Sequence, residues 1–472
     1  MARLIITGMT AEPGDGAGDE VAGRLSLRGR ADAVLINRDF ARLWYGQAVS
    51  TLGDYVFDTT LVLWVATVLA PGRAWAPAAV SGVMLAVGAS VLVVGPLAGV
   101  FVDRWDRKRV MLRTELVRAA LTGLLAVLSF LPTSALPTGV WLAVIYALVF
   151  AVNAAGQFFS PARFAVLGEV VPGEADRARA AGVGQATTAT ASILGPPLAA
   201  PLLFTAGLQW ALLLNALSYL FSWWSIRGVR TAGQGHAAGD EGQAARLWQE
   251  FAAGLRFFAG NRFLVALLGI AVIAQCGTGA LNSLNVFFVT DNLHTSSRLF
   301  GFVATAFGVG AIGGSLVAGR VVKRIGARAT TWGALLVTGL LVLAYARQTE
   351  FLAGVILLTG VALPVAMLNT AMTPLLLEAT PQEYLGRMIA VFNPVNELAS
   401  MLSVVAAGWL ASSALRDFHA RVAGLAVGSI DTIFSAAGCC VLLAGLYAAV
   451  ALPRGGTAQP ASEPEAAAVT AG

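Results

Sequence analysis

The feature that most restricts this chain is a succession of apolar stretches, each long enough to cross a lipid bilayer as a helix. A hydrocarbon core about 30 Å thick takes about 20 residues of helix. Such stretches fall at about 43–70, 78–102, 110–131, 139–160, 180–205 and 208–226. A second set falls at about 263–289, 299–322, 328–347, 350–376, 387–413 and 428–451. Strands of a membrane barrel are about 10 residues long and alternate in polarity, so these runs are helices. Composition agrees: 57% of the residues are hydrophobic and only 12% are charged, where a water-soluble domain carries about a quarter. The expectation is an all-α integral membrane protein of twelve transmembrane helices in two six-helix parallel repeats.

Charge lies between the apolar stretches. The net charge of +5 is scattered in short arginine clusters and gathers on no single face, so a nucleic-acid partner is not expected. With both termini cytoplasmic, about 26 basic residues lie inside and about 5 outside, which satisfies the positive-inside rule. The short apolar patch Leu4 to Ile6 is too brief for a signal-peptide core. Cys276, Cys439 and Cys440 lie inside apolar runs and suit neither a disulfide framework nor a zinc site. The domain plan expected is an N-terminal cytoplasmic tail (1–38), a six-helix bundle (39–226), a cytoplasmic linker (227–261), a second bundle (262–452) and a disordered cytoplasmic tail (453–472). Within the linker, Leu247, Phe251, Leu255 and Phe258 share one helical face, as in a helix lying on a membrane surface.

The two sets of spans echo each other. Gly99-Val-Phe-Val-Asp103-Arg104-Trp105-Asp106-Arg107-Lys108 follows the second span, and Gly319-Arg-Val-Val-Lys323-Arg324-Ile325-Gly326-Ala327-Arg328 follows the eighth. Asn37-Arg38 and Asn261-Arg262 stand at the entries to spans one and seven. Such parallel repeats belong to transporters that rock around a central site. Gly99, Asp103, Arg104, Arg107 and Lys108 resemble the loop signature of the major facilitator superfamily, from which Phe101 and Asp106 depart. Gly182, Gly195 and Pro196 in span five resemble, in part, the glycine-proline signature of its antiporters; alanines stand at 191, 199 and 200 instead of glycine. Phe159-Ser-Pro161-Ala-Arg163, Val171-Pro172, Pro381 and Gly386-Arg387-Met388 resemble the macrolide-efflux and enterobactin-exporter branch, the transmembrane secretion effectors.

That resemblance implies a secondary active transporter exporting a small amphiphilic organic molecule by proton antiport with alternating access. A proton-coupled symporter for a metabolite, or a substrate sensor on the same fold, remains the alternative. The location implied is the cell membrane, the partners are the solute, protons and the bilayer, and a monomer is expected. In the loop, Gly99 permits close helix approach and Asp103 is placed to face a helix N-terminus. Arg104 and Arg107 are placed to pair with Glu169 in a latch that breaks when the cytoplasmic side opens. Lys323 replaces the acid in the second copy, so a latch is expected only in the first. Gly195 and Pro196 are expected to bend span five.

Ionisable residues deep in a membrane are functional candidates by default. Asp54 and Asp58 lie four apart on one face of span one, and Glu397 lies inside span eleven. A carboxyl in a dry cavity is cheaper to hold protonated than ionised, so all three are candidates for proton loading. Arg118, the deepest base, is expected to reach back toward the membrane surface or to pair with Glu115, leaving the aspartates without a basic partner. Spans one, four, seven and ten, which line the cavity in the resembling family, carry Gln47, Asn153, Gln157, Gln275, Asn282, Asn285 and Asn369. Tyr55, Phe57, Tyr146, Phe158 and Phe288 are the aromatic candidates beside them. Amides with aromatics suit an amphiphilic solute held by stacking and a few hydrogen bonds.

Other functional classes lack their chemistry. Lys108 and Lys323 are the only lysines, and neither completes a phosphate-binding loop. His236, His294 and His419 are scattered, and no G-x-S-x-G nucleophile motif occurs. No enzyme, metal or cofactor is expected.

Overall fold

The computed structural model of the chain describes residues 36–231, 256, 259–380, 385–416, 418, 420–422 and 425–452. The expected amphipathic face of the linker and most of both expected tails lie outside these residues. The first six long helices are α1 (Arg38–Trp64), α2 (Ala76–Arg104), α3 (Arg107–Leu128), α4 (Thr138–Val170), α5 (Glu174–Pro201) and α6 (Leu208–Arg227). The next six are α7 (Arg262–Phe287), α8 (Phe300–Ile325), α9 (Ala327–Tyr345), α10 (Phe351–Ala379), α11 (Leu385–Ser412) and α12 (Ser429–Ala451). A short antiparallel ribbon, β1 (Ala420–Val422) with β2 (Leu425–Val427), precedes α12.

Ten of these helices are long and apolar enough to cross a membrane; α3 and α6 are not among them. Six charged residues explain α3: Arg107, Lys108, Arg109, Arg113, Glu115 and Arg118. Helix α6 is diluted by Gln209, Asn215 and three serines. Both take their place in the bundle by packing, α3 against α4 and α6, and α6 also against α1.

The packing repeats with a period of six helices. Helix α1 lies against α5 and α6, α2 against α4, and α3 against α4 and α6. Likewise α7 lies against α11 and α12, α8 against α10, and α9 against α10 and α12. The same capping device opens each set. Asn37 Oδ1 accepts from Phe40 N, and its Nδ2 donates 2.8 Å to the carbonyl of Val170, the last residue of α4. Asn261 Oδ1 accepts from Phe263 N and Leu264 N, and its Nδ2 donates 3.5 Å to Ala379 O at the end of α10. Each asparagine thus caps one helix at its N-terminus and satisfies a carbonyl that the end of another helix leaves without a partner.

The sets meet along two seams, α2 with α11 and α5 with α8. Far from the arginine-rich end the seams are tight. Ala78 N donates to Ser412 Oγ at 3.0 Å, Gly408 lies on Ser81, and a methyl at Gly88 would come within 2.9 Å of Glu397 Oε1. On the other seam, Thr305 Oγ1 donates to Ile193 O at 3.0 Å, and Gly301 lies against the backbone of Pro196 and Pro197. Toward the arginine-rich end the seams part. Among the described residues, a methyl at Gly95 would meet only Gln157, and at Gly99 or Gly319 it would meet nothing within 4 Å. Gly99, expected to permit close approach, therefore meets none of the described residues of another helix in this arrangement. Small residues at these positions are what let helices pack closely in lipid.

Candidate functional site

The sequence expectation that the aspartates lack a basic partner is overturned. Arg118 NH2 donates to both carboxylate oxygens of Asp54, at 3.1 Å each. The reason lies in the direction of the side chain. Arg118 is eleven residues into α3, and instead of reaching the surface it crosses toward α1, where a carboxylate compensates the loss of water. Nor does it pair with Glu115. Its guanidinium lies 4.2 Å from the centre of the Tyr219 ring, a cation–π contact. The Tyr219 hydroxyl donates to Asp54 Oδ1 at 2.5 Å, and Asn215 Nδ2 donates to that hydroxyl at 3.3 Å. Gly53 makes room for this cluster, since a side chain there would strike Asn215 and Ser218. Tyr219, Asn215 and the role of Arg118 were missed from sequence. The signal was present as Asn215, Ser218, Tyr219, Ser222 and Ser225, a polar stripe on one face of α6.

Asp58 is exposed, one turn beyond Asp54 on the same face of α1. Gln47 shares that face two turns before Asp54 and accepts from Arg163 NH1 at 2.7 Å. Glu115 is fully buried one turn from Arg118 and accepts from Ser222 Oγ at 3.0 Å. Among the described residues the neighbourhood therefore sets three carboxyls, Asp54, Asp58 and Glu115, around one guanidinium. Glu397 is half-buried at the α2–α11 seam beside Gly88, away from this cluster.

The remaining candidates divide. Tyr55 packs its Cβ on Gly195, so this glycine seats α5 against α1. Pro196 lies on the α5–α8 seam, and α5 runs through it to end in a π turn, Leu202–Ala206. Asn153 bonds back to Val149 O of its own helix, and Gln275 accepts from Thr278. Asn285 accepts from the Tyr345 hydroxyl at 2.6 Å, while Asn282 and Asn369 are exposed. Two aromatic candidates are corrected. Phe57 and Phe288 are fully buried in apolar cores, because each faces its own half. Tyr146 donates to Ala79 O, and Phe158 stacks beside Trp105.

At the arginine-rich end, Arg107 and Glu169 form the expected ion pair at 2.9 Å. It joins α3 to α4 within one half and is present although the seams there are open, so this pair does not break on that opening. A counterpart not foreseen joins Arg328 to Glu378 at 3.0 Å, between α9 and α10. Lys108 donates to Arg227 O and Val229 O at the end of α6. The Arg104 Nε is buried without a partner among the described residues.

The chain belongs to the family of transmembrane secretion effectors, a branch of the major facilitator superfamily, whose model matches residues 31–452. It is thus a multi-pass membrane transporter, not an enzyme. It is 24% identical over 375 residues to macrolide efflux protein A of Streptococcus pyogenes, covering 78% of this chain and 87% of that one. A putative bacilysin exporter, BacE of Bacillus amyloliquefaciens, is 29% identical over 231 residues, covering 47% of this chain and 51% of the relative. In fold the chain resembles the nucleoside transporter NupG (TM-score 0.69, 11% identity, 88% of this chain and 100% of that one). It also resembles a bacterial homologue of the iron transporter ferroportin in an inward-facing state (TM-score 0.63, 14% identity, 88% and 99%).

Proposed function

We propose that the protein exports a small amphiphilic organic molecule across the cell membrane in exchange for protons, as a monomer. The observation that carries this reading is the surplus of carboxyls: Asp58 is exposed beside an Asp54 whose guanidinium partner among the described residues is Arg118. A surplus acid in a membrane is stable when protonated and gives up its proton when water or a polar solute reaches it. The arginine-rich end is the cytoplasmic one by the positive-inside rule, so the arrangement is open to the cytoplasm. Asp58 then exchanges protons with the solute-bearing cleft, and Asp54 is released from Arg118 as the cycle proceeds. Gln47, Tyr55, Gln157, Asn282 and Asn369 line the path of the solute. Gly99 lies on the face that closes toward α11, the Asp103 side chain expected there lies outside the described residues, and Glu397 marks the turning point of that seam. The efflux and export functions of the relatives support the direction and an organic substrate.

The test is export of a panel of macrolides and peptide antibiotics from cells lacking their own pumps, followed by proteoliposomes under an imposed pH gradient. Asp58→Asn is expected to keep solute binding and lose at least about tenfold of gradient-driven transport, which corresponds to about 1.4 kcal/mol. Equal gradient response in Asp58→Asn and the parent would show that Asp58 carries no coupling proton.

A further inference from the structure

Glu115 is the one acid of the cluster that the reading above leaves idle. It has no solvent exposure, and its Oε2 has no hydrogen-bond partner among the described residues. The Nε of Arg118, one helical turn away, is likewise buried and without a partner among them. An unmatched acceptor and an unmatched donor thus lie one turn apart on one helix face, where they are neighbours. The ionisable groups acting on Glu115 are Arg118 on α3 and Asp54 on α1, and Tyr219 of α6 touches both of these. From α4, Arg163 is bonded to Gln47 and Glu169 to Arg107. With Arg118 committed to both oxygens of Asp54, Glu115 has one neutral donor, Ser222, and an anion there is strongly disfavoured.

Two hydroxyls stand between this carboxyl and the arginine-rich end. Ser222 touches Glu115, and Ser225, one turn further along α6, donates to Arg42 O. Ser225 also lines a cavity of about 370 Å³ with Arg42, Trp224, Arg227 and Gly228. Gly46 leaves both serines against α1, since a methyl there would lie 3.1–3.3 Å from them. The seam between α1 and α6 thus carries two hydroxyls between the cavity and Glu115, on a side of α6 that packs against α1.

We infer that Glu115 is a second proton-binding site, filled in this arrangement and exchanging with the arginine-rich side along Ser222 and Ser225, and that Arg118 alternates between Asp54 and Glu115. When Asp54 takes up a proton from the cleft, Arg118 loses its partner there and turns to Glu115. The Glu115 proton then leaves along the serines into the cavity. One proton enters and one leaves, and the guanidinium always faces one carboxylate. This rests on the proton-antiport reading for its use in transport, but proton binding at Glu115 stands apart from it.

The experiment is infrared difference spectroscopy of the full-length protein in lipid nanodiscs, following the carbonyl band of a protonated buried carboxyl. The parent is expected to show the band near neutral pH. Glu115→Gln should remove it, and Asp58→Asn should retain it. Asp54→Asn, which frees Arg118, should also lose it. Ser222→Ala should keep the band and slow its shift in deuterated buffer at least severalfold. A band that survives Glu115→Gln, or a parent without one, overturns the proton site. A band unchanged in Asp54→Asn overturns the exchange of Arg118 between acids. Should Glu115→Gln not fold, Glu115→Asp must shift the band, and an unshifted band overturns the assignment. These spectra need no gradient, so transport indifferent to pH together with the expected bands would sink proton antiport and leave this site standing.

Discussion

The two halves share a frame and differ in what fills it. Asn37 and Asn261 register α1 on α7 with a shift of 224 positions, so Thr278 stands where the first half has Asp54. Gly99 and Gly319 register α3 on α9 with a shift of 220, so Thr338 stands where the first half has Arg118 and Leu335 where it has Glu115. In place of the ion cluster the second half has a small cavity of about 30 Å³, lined by Thr278, Asn282, Thr338, Val342 and Val441 among others. The caps, the helix pairings and the basic-end ion pairs occur in both halves. What repeats is the mechanical frame, and among the described residues the Asp54–Arg118–Glu115 cluster has no counterpart at the matching positions of the second copy.

The sharpest way to break this comparison is to neutralise the charged half. Arg118→Met leaves Asp54, whose side chain is 33% exposed, without its cation; breaking a fully buried pair from one side costs about 3–5 kcal/mol, and solvent at Asp54 brings the cost here below that range. The variant should unfold at a markedly lower temperature in detergent and lose transport. Asp54→Asn in the same background should recover part of the stability, because the orphaned charge is gone. An Arg118→Met protein as stable as the parent would mean that the cluster contributes nothing the neutral half lacks.

The seams give the next largest effect. Gly88 is packed against Met401 and Glu397, whereas Gly99, eleven residues along the same face, meets open space. Leucine at Gly88 overpacks the closed part of the seam at about 1–3 kcal/mol. That should shift the population toward separation of this end by roughly ten- to a hundredfold. Leucine at Gly99 is accommodated here and obstructs closure, so it should hold the protein in the present arrangement. Spin-label distances across α2 and α11 at both ends measure the two shifts. Equal shifts in one direction would show that these glycines do not mark opposite ends of a rocking seam.

Membership of the membrane class and the repeat were legible because they are written in length and spacing. Runs of apolar residues fix the helices, and Asn37/Asn261 and Gly99/Gly319 fix the register between halves. Two acids, Asp54 and Asp58, stood out because charge in an apolar run is conspicuous. Their partner did not, because the direction in which Arg118 points is set by tertiary packing. The sequence offers the surface as one destination, and only the approach of α6, allowed by Gly53 and carrying Tyr219, makes the inward one available. The bonding of the cavity amides was not legible for a related reason. Asn153, Gln275 and Asn285 bond within their own half. An isolated amide in a sequence carries no sign of whether it holds a helix or greets a solute.

The ion pairs at the arginine-rich end test whether the frame is symmetric in energy as well as in shape. Arg107–Glu169 and Arg328–Glu378 each join two helices of one half, and both are partly exposed. Exposed pairs contribute about 0–1 kcal/mol. Glu169→Gln and Glu378→Gln should therefore lower the unfolding temperature slightly and to similar extents. A much larger effect on transport in Glu169→Gln alone would restore a gating role to the first pair.

The smallest expected effect has the opposite sign. Thr338 is 3% exposed, and its hydroxyl has no partner among the described residues, although a neighbour such as Thr331 satisfies its own by donating to Ala327 O. A buried hydroxyl without a bond is penalised by about 1–3 kcal/mol, part of which an apolar group of similar shape recovers. Thr338→Val should thus raise stability by about 0.5–1 kcal/mol, and Thr331→Val should leave it level or lower it. The position matters because it is the counterpart of Arg118. If the neutral half merely fills the space, replacing that hydroxyl improves packing and leaves transport unchanged. A loss of stability in Thr338→Val would show that the hydroxyl is bonded within the cavity. A loss of transport without a loss of stability would make the second half a participant in the chemistry, and the division between the halves drawn above would fail.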